Sequence, residues 1–418
     1  MRRIALTLLL LLHNIPLILA QVQSEIAPPE NIRSVVFTGN NNAAQFPIVR
    51  LGERMQLRFD DLYADEADYY YRIEHCNYDW TPSNLVKNQY LDGLDNQRIQ
   101  QYDNSLATLQ PYTSYYLQLP NGQTGLRLTG NYILKIYDQA DHLVFSRRFI
   151  IFKNAVSVGG IAKRPRDFEL LNTGQRIEFS INQGDFNLVN PQQEVKVSIL
   201  QNSNFQTEKR DIKPQFISGG QLLYKYEKET TFEGGNEYLN TDTKDIRVST
   251  NTISRIELKN RYNTYLYTNT TRREQPYTYF PDINGDFLVN LGQGVQNDPN
   301  TEADYCFVHF SLAYEPWMGL KDIYVYGKFN NYELQEENKL RFNEKNNTLE
   351  TTIFLKQGFY NFKYVIRNTD GSIDQNAISG NHWQTENEYL ITVYYRDFGA
   401  QYDSVIGMAN ISSVDISN

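Results

Sequence analysis

Cysteine is nearly absent from this 418-residue chain, which carries only Cys76 and Cys306. The two fall in what read as different domains, so a disulfide would have to bridge domains. The plainer reading is two small buried apolar residues; oxidising surroundings outside an inner membrane keep a bridge as the alternative. Disulfides do not hold such a chain together, so hydrophobic cores must. Histidine is also scarce: beyond the first twenty residues there are only His75, His142, His309 and His382. His75 and Cys76 are neighbours, and on a strand they point to opposite faces, so they form no direct nucleophile–base pair. His309, within Phe307-Val308-His309-Phe310, reads as a rim or core histidine. No Gly-x-Ser-x-Gly elbow, phosphate-cradling loop or His-Glu-x-x-His helix occurs. Facing carboxylates of the glycosidase kind can be drawn from any acidic composition and point nowhere in particular. The expectation is a protein that is not an enzyme and needs no cofactor and no metal.

Basic charge is lacking as well. Forty Lys and Arg stand against 49 Asp and Glu, a formal net charge of −9. Nucleic-acid binding rests on clustered cations that release counterions, so nucleic acid is excluded as a partner. The small clusters Arg147-Arg148 and Lys163-Arg164-Pro165-Arg166 read as solvated strand ends or linkers. Long apolar runs are missing beyond the first twenty residues. There Arg2 and Arg3 precede the apolar stretch Ile4 to Leu12, and Ala20 precedes a cleavage point, as in an export signal over 1–20. His13, Asn14 and Pro16 interrupt the run, leaving it short for a membrane span. No cysteine lies near the cleavage point, so no direct lipid anchor is expected. The chain reads as exported and soluble beyond an inner membrane.

Long amphipathic helices are absent too; short helical turns fit only around 85–90 and 105–109. Strand signals fill the rest. Met55 to Phe59, Arg176 to Ile181 and Glu194 to Ile199 alternate apolar with polar residues, which places apolar side chains on one sheet face. Tyr132 to Tyr137, Phe307 to Leu312, Ile323 to Tyr326, Leu349 to Leu355 and Tyr389 to Tyr395 do likewise, enriched in β-branched and aromatic residues. Turn pairs Asn121-Gly122, Gly219-Gly220, Asn284-Gly285 and Asp370-Gly371 separate them. The 31 tyrosines and 22 phenylalanines raise a membrane barrel with aromatic girdles. Irregular strand spacing, long loops such as 200–220 and a polar C-terminus argue instead for sandwich cores filled by aromatics. The fold class expected is all-β, in tandem immunoglobulin-like or early-set sandwiches. Breaks at 153–167 and 292–304 suggest an N-terminal sandwich over 21–155, a middle β domain over 156–298, a C-terminal sandwich over 299–398 and a tail over 399–418.

Residues 60–84 are the densest stretch. Asp60, Asp61, Asp65, Glu66 and Asp68 precede Tyr69 to Tyr71, and a second loop carries Tyr78, Asp79 and Trp80. Hard cations want several oxygens on a short loop, but this spacing fits no calcium loop; structural or partner-contact roles are favoured. Asp282-Ile283-Asn284-Gly285-Asp286 mimics the start of a calcium loop, yet its glycine comes two places early and Gln293 stands at the closing position. It reads as an Asn-Gly hairpin.

In the last domain, Asp322 to Tyr332 and Leu355 to Val365 resemble the early-set sandwich that accompanies starch-acting enzymes. Glycan-binding members stack sugars on exposed tryptophans; here Tyr332 stands at that place and Trp383 is the nearest tryptophan. This gives the alternative reading, a periplasmic or surface glycan-binding accessory protein.

A second resemblance covers almost the whole chain. Asp60-Asp61-Leu62-Tyr63-Ala64-Asp65-Glu66-Ala67-Asp68-Tyr69-Tyr70-Tyr71 and His75-Cys76-Asn77-Tyr78-Asp79-Trp80 open it. Gly234 to Leu239, Asp242 to Arg247, Pro276 to Asp282, Gly380 to Tyr389 and Tyr394 to Gly399 continue it. These runs resemble the plug proteins of the type IX secretion system of Bacteroidetes. The resemblance implies a periplasmic protein, a monomer within its complex. It would dock on the giant outer-membrane β-barrel translocon and cover its periplasmic mouth. No contact residue comes with the resemblance. The acidic and aromatic density of 60–68 and 77–84 suggests that Asp60, Asp61, Asp65, Glu66, Asp68, Tyr78, Asp79 and Trp80 meet the barrel; the rival is that they fix a long inter-strand connection.

Overall fold

The computed structural model describes residues 22–39, 46–292 and 298–416. The expected export signal and Gln293 lie outside the described residues. Every alternating segment forms a strand, among them Met55–Asp61, Gly174–Asn182, Val195–Gln201 and Tyr305–Ala313. A short helix, Lys87–Tyr90, forms within the first expected helical turn; residues 105–109 are irregular. The fold is all-β, built as three sandwiches.

In the first sandwich, one sheet orders Ile32–Gly39, Met55–Asp61, Thr113–Leu119 and Gln101–Asn104. The other orders Ile48–Arg50, Leu143–Phe152, Gly130–Tyr137, Tyr70–Cys76 and Gln97–Arg98. Phe37, Leu57, Phe59 and Tyr115 meet Tyr71, Ile73, Tyr132 and Phe149 between them. Tyr132 stacks on Phe149 at 5.1 Å, and Phe59 on Tyr115 at 5.0 Å. Aromatic filling is thus the core principle here, each buried ring removing a large apolar area from water.

The second sandwich is discontinuous. One sheet runs over Ser157–Lys163, Gly174–Asn182, Gln221–Tyr224 and Phe216–Ser218, with Thr231–Glu233 pairing on Gly174–Asn182. The facing sheet orders Asn204–Arg210, Val195–Gln201, Glu388–Tyr395 and Ser404–Ser412. Val195 lies opposite Tyr395 and Gln201 opposite Tyr389. The third sandwich occupies the interval. Leu239–Asp242, Gly358–Arg367, Phe287–Val289 and Asp322–Tyr326 face Ile253–Leu258, Tyr262–Leu266, Tyr305–Ala313, Thr348–Lys356 and Arg341–Asn343. The boundaries expected at 298–299 and 398–399 therefore fall inside sandwiches. Phe287–Val289 and Tyr305–Ala313, the strands on either side of the glycine-rich break, both belong to the third sandwich, and the last two strands return to the second.

Two smaller corrections follow from pairing. Asn284 and Gly285 do turn with φ of 54° and 84°, but Phe287–Val289 pairs with Gly358–Tyr360 rather than with residues 279–280. The Asn361 carboxamide oxygen accepts the amides of Ile283 (2.6 Å) and Gly285 (3.3 Å) and holds that turn. Arg147 and Arg148 are not solvated ends. Arg147 is buried, and the Arg148 guanidinium lies 4.4 Å from the Trp80 ring and 4.7 Å from the Phe205 ring.

The sandwiches are joined by cores of their own. Cys76, Trp80, Ile133, Ile150 and Phe152 on the outer face of the first meet Leu200, Leu390, Tyr394 and Val405 of the second. A sheet buried on both faces reads as a nearly continuous apolar run, which is what Phe149-Ile150-Ile151-Phe152 shows.

Candidate docking surface

Strand parity sends Asp60 and Asp61 in opposite directions. Asp61 follows Leu57 and Phe59 inward, accepting from the Tyr69 hydroxyl (2.7 Å), the Asn31 amide (2.9 Å) and the Tyr63 N–H (3.1 Å). Asp60 turns outward, into the third sandwich. Its Oδ2 accepts from the Tyr305 hydroxyl (2.7 Å) and from Lys356 Nζ (2.6 Å). The chain then surfaces. Tyr63 is 72 % exposed, Asp65 and Glu66 are exposed, and Asp68 is half-buried against Arg98 at 2.7 Å. Glu66 accepts from the Tyr102 hydroxyl (3.1 Å) and the Asn104 amide (2.6 Å), which ties the loop to the edge strand.

This end of the molecule gathers three loops. The Gln110 amide donates to Leu62 O (3.2 Å), and its oxygen accepts from Arg261 (3.3 Å). Leu106 N–H donates to Thr301 O (2.9 Å) and Leu109 N–H to Asp304 Oδ2 (2.7 Å). Leu106 and Leu109 stay exposed. The result is an acidic and apolar rim of Tyr63, Asp65, Glu66, Leu106 and Leu109 on a backbone pinned to two sandwiches.

The second loop serves the joint between the first and second sandwiches. Trp80, 1 % exposed, stands edge-on to Phe205 with centroids 5.4 Å apart. The Tyr78 hydroxyl donates to Asp211 (2.6 Å), its N–H donates to Asp403 (3.1 Å), and Lys196 lies 4.0 Å from its ring. Asp79 accepts from the Thr81 N–H (3.0 Å) and hydroxyl (2.6 Å), closing its own turn. So Asp60, Asp61 and Trp80 are interior, Tyr78 serves the joint, Asp79 closes its own turn, Asp65 and Glu66 are exposed and Asp68 is half-buried.

The reactive side chains are scattered and quiet. Both cysteines are free and buried, and burial pushes each thiol up to about 12. A thiol reagent is therefore expected to leave the native protein untouched and to titrate both groups only in denaturant, since the thiolate is the reactive form. His75 is buried among Tyr90, Tyr132 and Tyr402, with Nε2 3.3 Å from Thr129 O. Burial lowers its pKa to about 4. The folded value lies below the unfolded one, so this stability is complete above about pH 6.5 and is lost as pH falls toward 4. The loss should reach about 2 kcal/mol by pH 5. Urea melts at pH 7 and pH 5 should show that deficit in the native sequence and a smaller one in His75→Gln. Among the described residues, no three of His, Cys, Asp and Glu gather as ligands for a metal ion. None of the described helices is long and apolar enough to cross a membrane.

Residues 32–153, which are the first sandwich, match the family model of the type 9 secretion system plug protein 1st domain. The chain belongs to the type IX secretion system plug protein family. A crystal structure of a hypothetical protein from Parabacteroides merdae is similar over the whole fold, with a TM-score of 0.89 and 30 % identity, covering 94 % of this chain and 100 % of that one. None of the curated proteins compared matches the chain.

The plug protein offers little to a sugar at the two expected positions. Tyr332 is buried with Tyr324, Tyr326 and Val365, its ring 5.1 Å from that of Tyr326. Trp383 is half-buried, with the Arg164 guanidinium 4.6 Å from its ring. Tyr332 has a φ of 57°, and its hydroxyl reaches Asn284 O at 3.5 Å. Leu106 and Leu109 were missed as surface residues; Thr108-Leu109-Gln110-Pro111, a polar segment with isolated leucines, was the signal that could have found them.

Proposed function

We propose that this plug protein is a non-enzymatic periplasmic component that docks as a monomer on the giant outer-membrane translocon barrel and occludes its periplasmic opening. The observation that carries the reading is the match of the first sandwich to the plug family. The architecture supports it physically. A cover over a wide pore has to resist deformation; the first and second sandwiches share an apolar core, and the first and third are joined by the buried pair of Asp60 and Lys356. The rim of Tyr63, Asp65, Glu66, Leu106 and Leu109 is the surface proposed to meet the barrel. A large exposed tyrosine flanked by leucines gives contact area at low rotamer cost, and the carboxylates orient the approach.

Affinity purification of the tagged chain from detergent-solubilised outer membranes of its host should recover one very large β-barrel protein. The variant Asp65→Lys/Glu66→Lys/Leu106→Asp should recover at least about tenfold less of it, a loss of about 1.4 kcal/mol or more. Undiminished recovery with that variant would move the contact elsewhere. Recovery of the wild-type chain alone would overturn the docking reading.

A further inference from the structure

Leu106 and Leu109 stand on a loop of the first sandwich whose tip finds its hydrogen-bond acceptors in the third. Residues 105–112 are irregular, so their N–H groups have no ladder to join and need acceptors of another kind. Ser105 and Tyr112 close the base of the loop, Ser105 N–H donating to Tyr112 O (2.9 Å) and Tyr112 N–H to Ser105 Oγ (3.0 Å). Beyond that base the partners change. Leu106 N–H donates to Thr301 O (2.9 Å), Leu109 N–H to Asp304 Oδ2 (2.7 Å) and Gln110 N–H to Asp304 Oδ1 (3.1 Å). Ala107, between them, has a φ of 57°. A residue with a side chain stays in that left-handed region only where its surroundings over-determine it.

Asp304 is itself held firmly within the third sandwich. It is 6 % exposed. Its N–H donates to Gln357 Oε1 (2.8 Å), and its carbonyl accepts the Gln357 N–H (2.8 Å). Its Oδ1 also accepts the Tyr305 N–H (2.8 Å). The carboxylate thus accepts three backbone N–H groups through charge-assisted bonds, and these donors take the place of water around a buried charge. Two of the three come from the first sandwich. The buried Tyr112 hydroxyl points the same way, donating to Ala303 O (2.8 Å).

We propose that Asp304 is the positioning residue of the docking rim. It fixes the backbone that presents Leu106 and Leu109, so contact with the barrel depends on the third sandwich being closed on the first, although the third supplies none of the rim side chains. This rests on the docking reading above. Rim contact and seam closure are then linked, each favouring the other.

Two readouts on the tagged chain separate the positioning from the docking. Asp304→Asn keeps the shape of the side chain and removes its charge. Hydrogen exchange over 105–112 should quicken at least about tenfold, while exchange in Gly130–Tyr137 stays as it is. Recovery of the barrel by affinity purification should fall at least about tenfold. In a Leu106→Ala/Leu109→Ala background the same substitution should cost less than in the wild-type chain, because residues that act through one contact are not additive. A purely structural role would give equal losses in both. Gln357→Ala, which leaves the carboxylate but frees its backbone, repeats the test if Asp304→Asn folds poorly. Unchanged exchange over 105–112 overturns the proposal. So does full barrel recovery with a loosened loop, which leaves the docking reading standing. A wild-type chain that recovers no barrel overturns the docking reading and the proposal with it.

Discussion

Lys356→Met is expected to destabilise the protein by about 3–5 kcal/mol, the cost of leaving a buried charge without its counterion. Lys356 Nζ meets Asp60 Oδ2 at 2.6 Å with side-chain exposures of 2 % and 3 %. It also donates to Asn300 O (2.8 Å) and lies 4.0 Å from the Tyr112 ring. Asp60 belongs to the first sandwich and Lys356 to the third, so the pair fixes one against the other. Removing the cation leaves Asp60 with the Tyr305 hydroxyl alone among its charged or strong donors. Asp60→Asn/Lys356→Met should recover most of the loss, since replacing both members of a buried pair is often neutral. Urea denaturation of the three variants checks this, with the double-mutant cycle isolating the pair.

The single variant Asp60→Asn carries a pH signature. Burial lowers the Lys356 pKa and Asp60 opposes that shift; without Asp60 the depression deepens. A lysine whose folded pKa lies below the unfolded value, about 10.4, is easiest to bury neutral. Its cost therefore grows as pH falls below the unfolded value and fades as pH rises toward it. The deficit of Asp60→Asn relative to wild type should shrink between pH 7 and pH 10. A deficit that is flat or grows over that interval would mean that the ammonium is not held dry.

Strand positions were legible because alternation reports which residues face inward, and every alternating segment became a strand. Pairing was not legible, because alternation says nothing about the neighbour. Glu388–Tyr395 carries the pattern of any buried strand, and only its register with Val195–Gln201 shows that the chain left the second sandwich and returned. Asp60 and Asp61 illustrate the limit at single residues. Read as part of an acidic loop they look like surface, yet they extend the phase of Met55, Leu57 and Phe59, which puts Asp61 inside. Nothing local reveals that Asp60 will find Lys356, 296 positions along the chain. The exposed remainder, Asp65 and Glu66, was legible because glycine-free, acid-rich turns have no apolar face to bury.

Trp80→Ala should open the joint between the first and second sandwiches, at a cost of about 3–5 kcal/mol for a fully buried large aromatic. Its ring contributes more than area. Arg148 stacks over it at 4.4 Å, and burial already lowers the Arg148 pKa, so truncation strips cover from a cation that is poorly hydrated. Phe205 loses its edge-on partner at the same time, while keeping Phe46 at 5.1 Å. The effect is therefore concentrated at the seam and leaves the two inner cores whole. Limited proteolysis should convert this into a specific pattern, with new cleavage in the connector around Lys153-Asn154 and survival of the first sandwich as a fragment. Tyr78→Phe, which removes only the half-exposed bond to Asp211, should cost about 1 kcal/mol or less and leave the connector protected. If Trp80→Ala unfolds all three sandwiches together, they form one cooperative unit. Bending at that seam is then ruled out, and under the proposed function any release from the barrel would proceed as a rigid body.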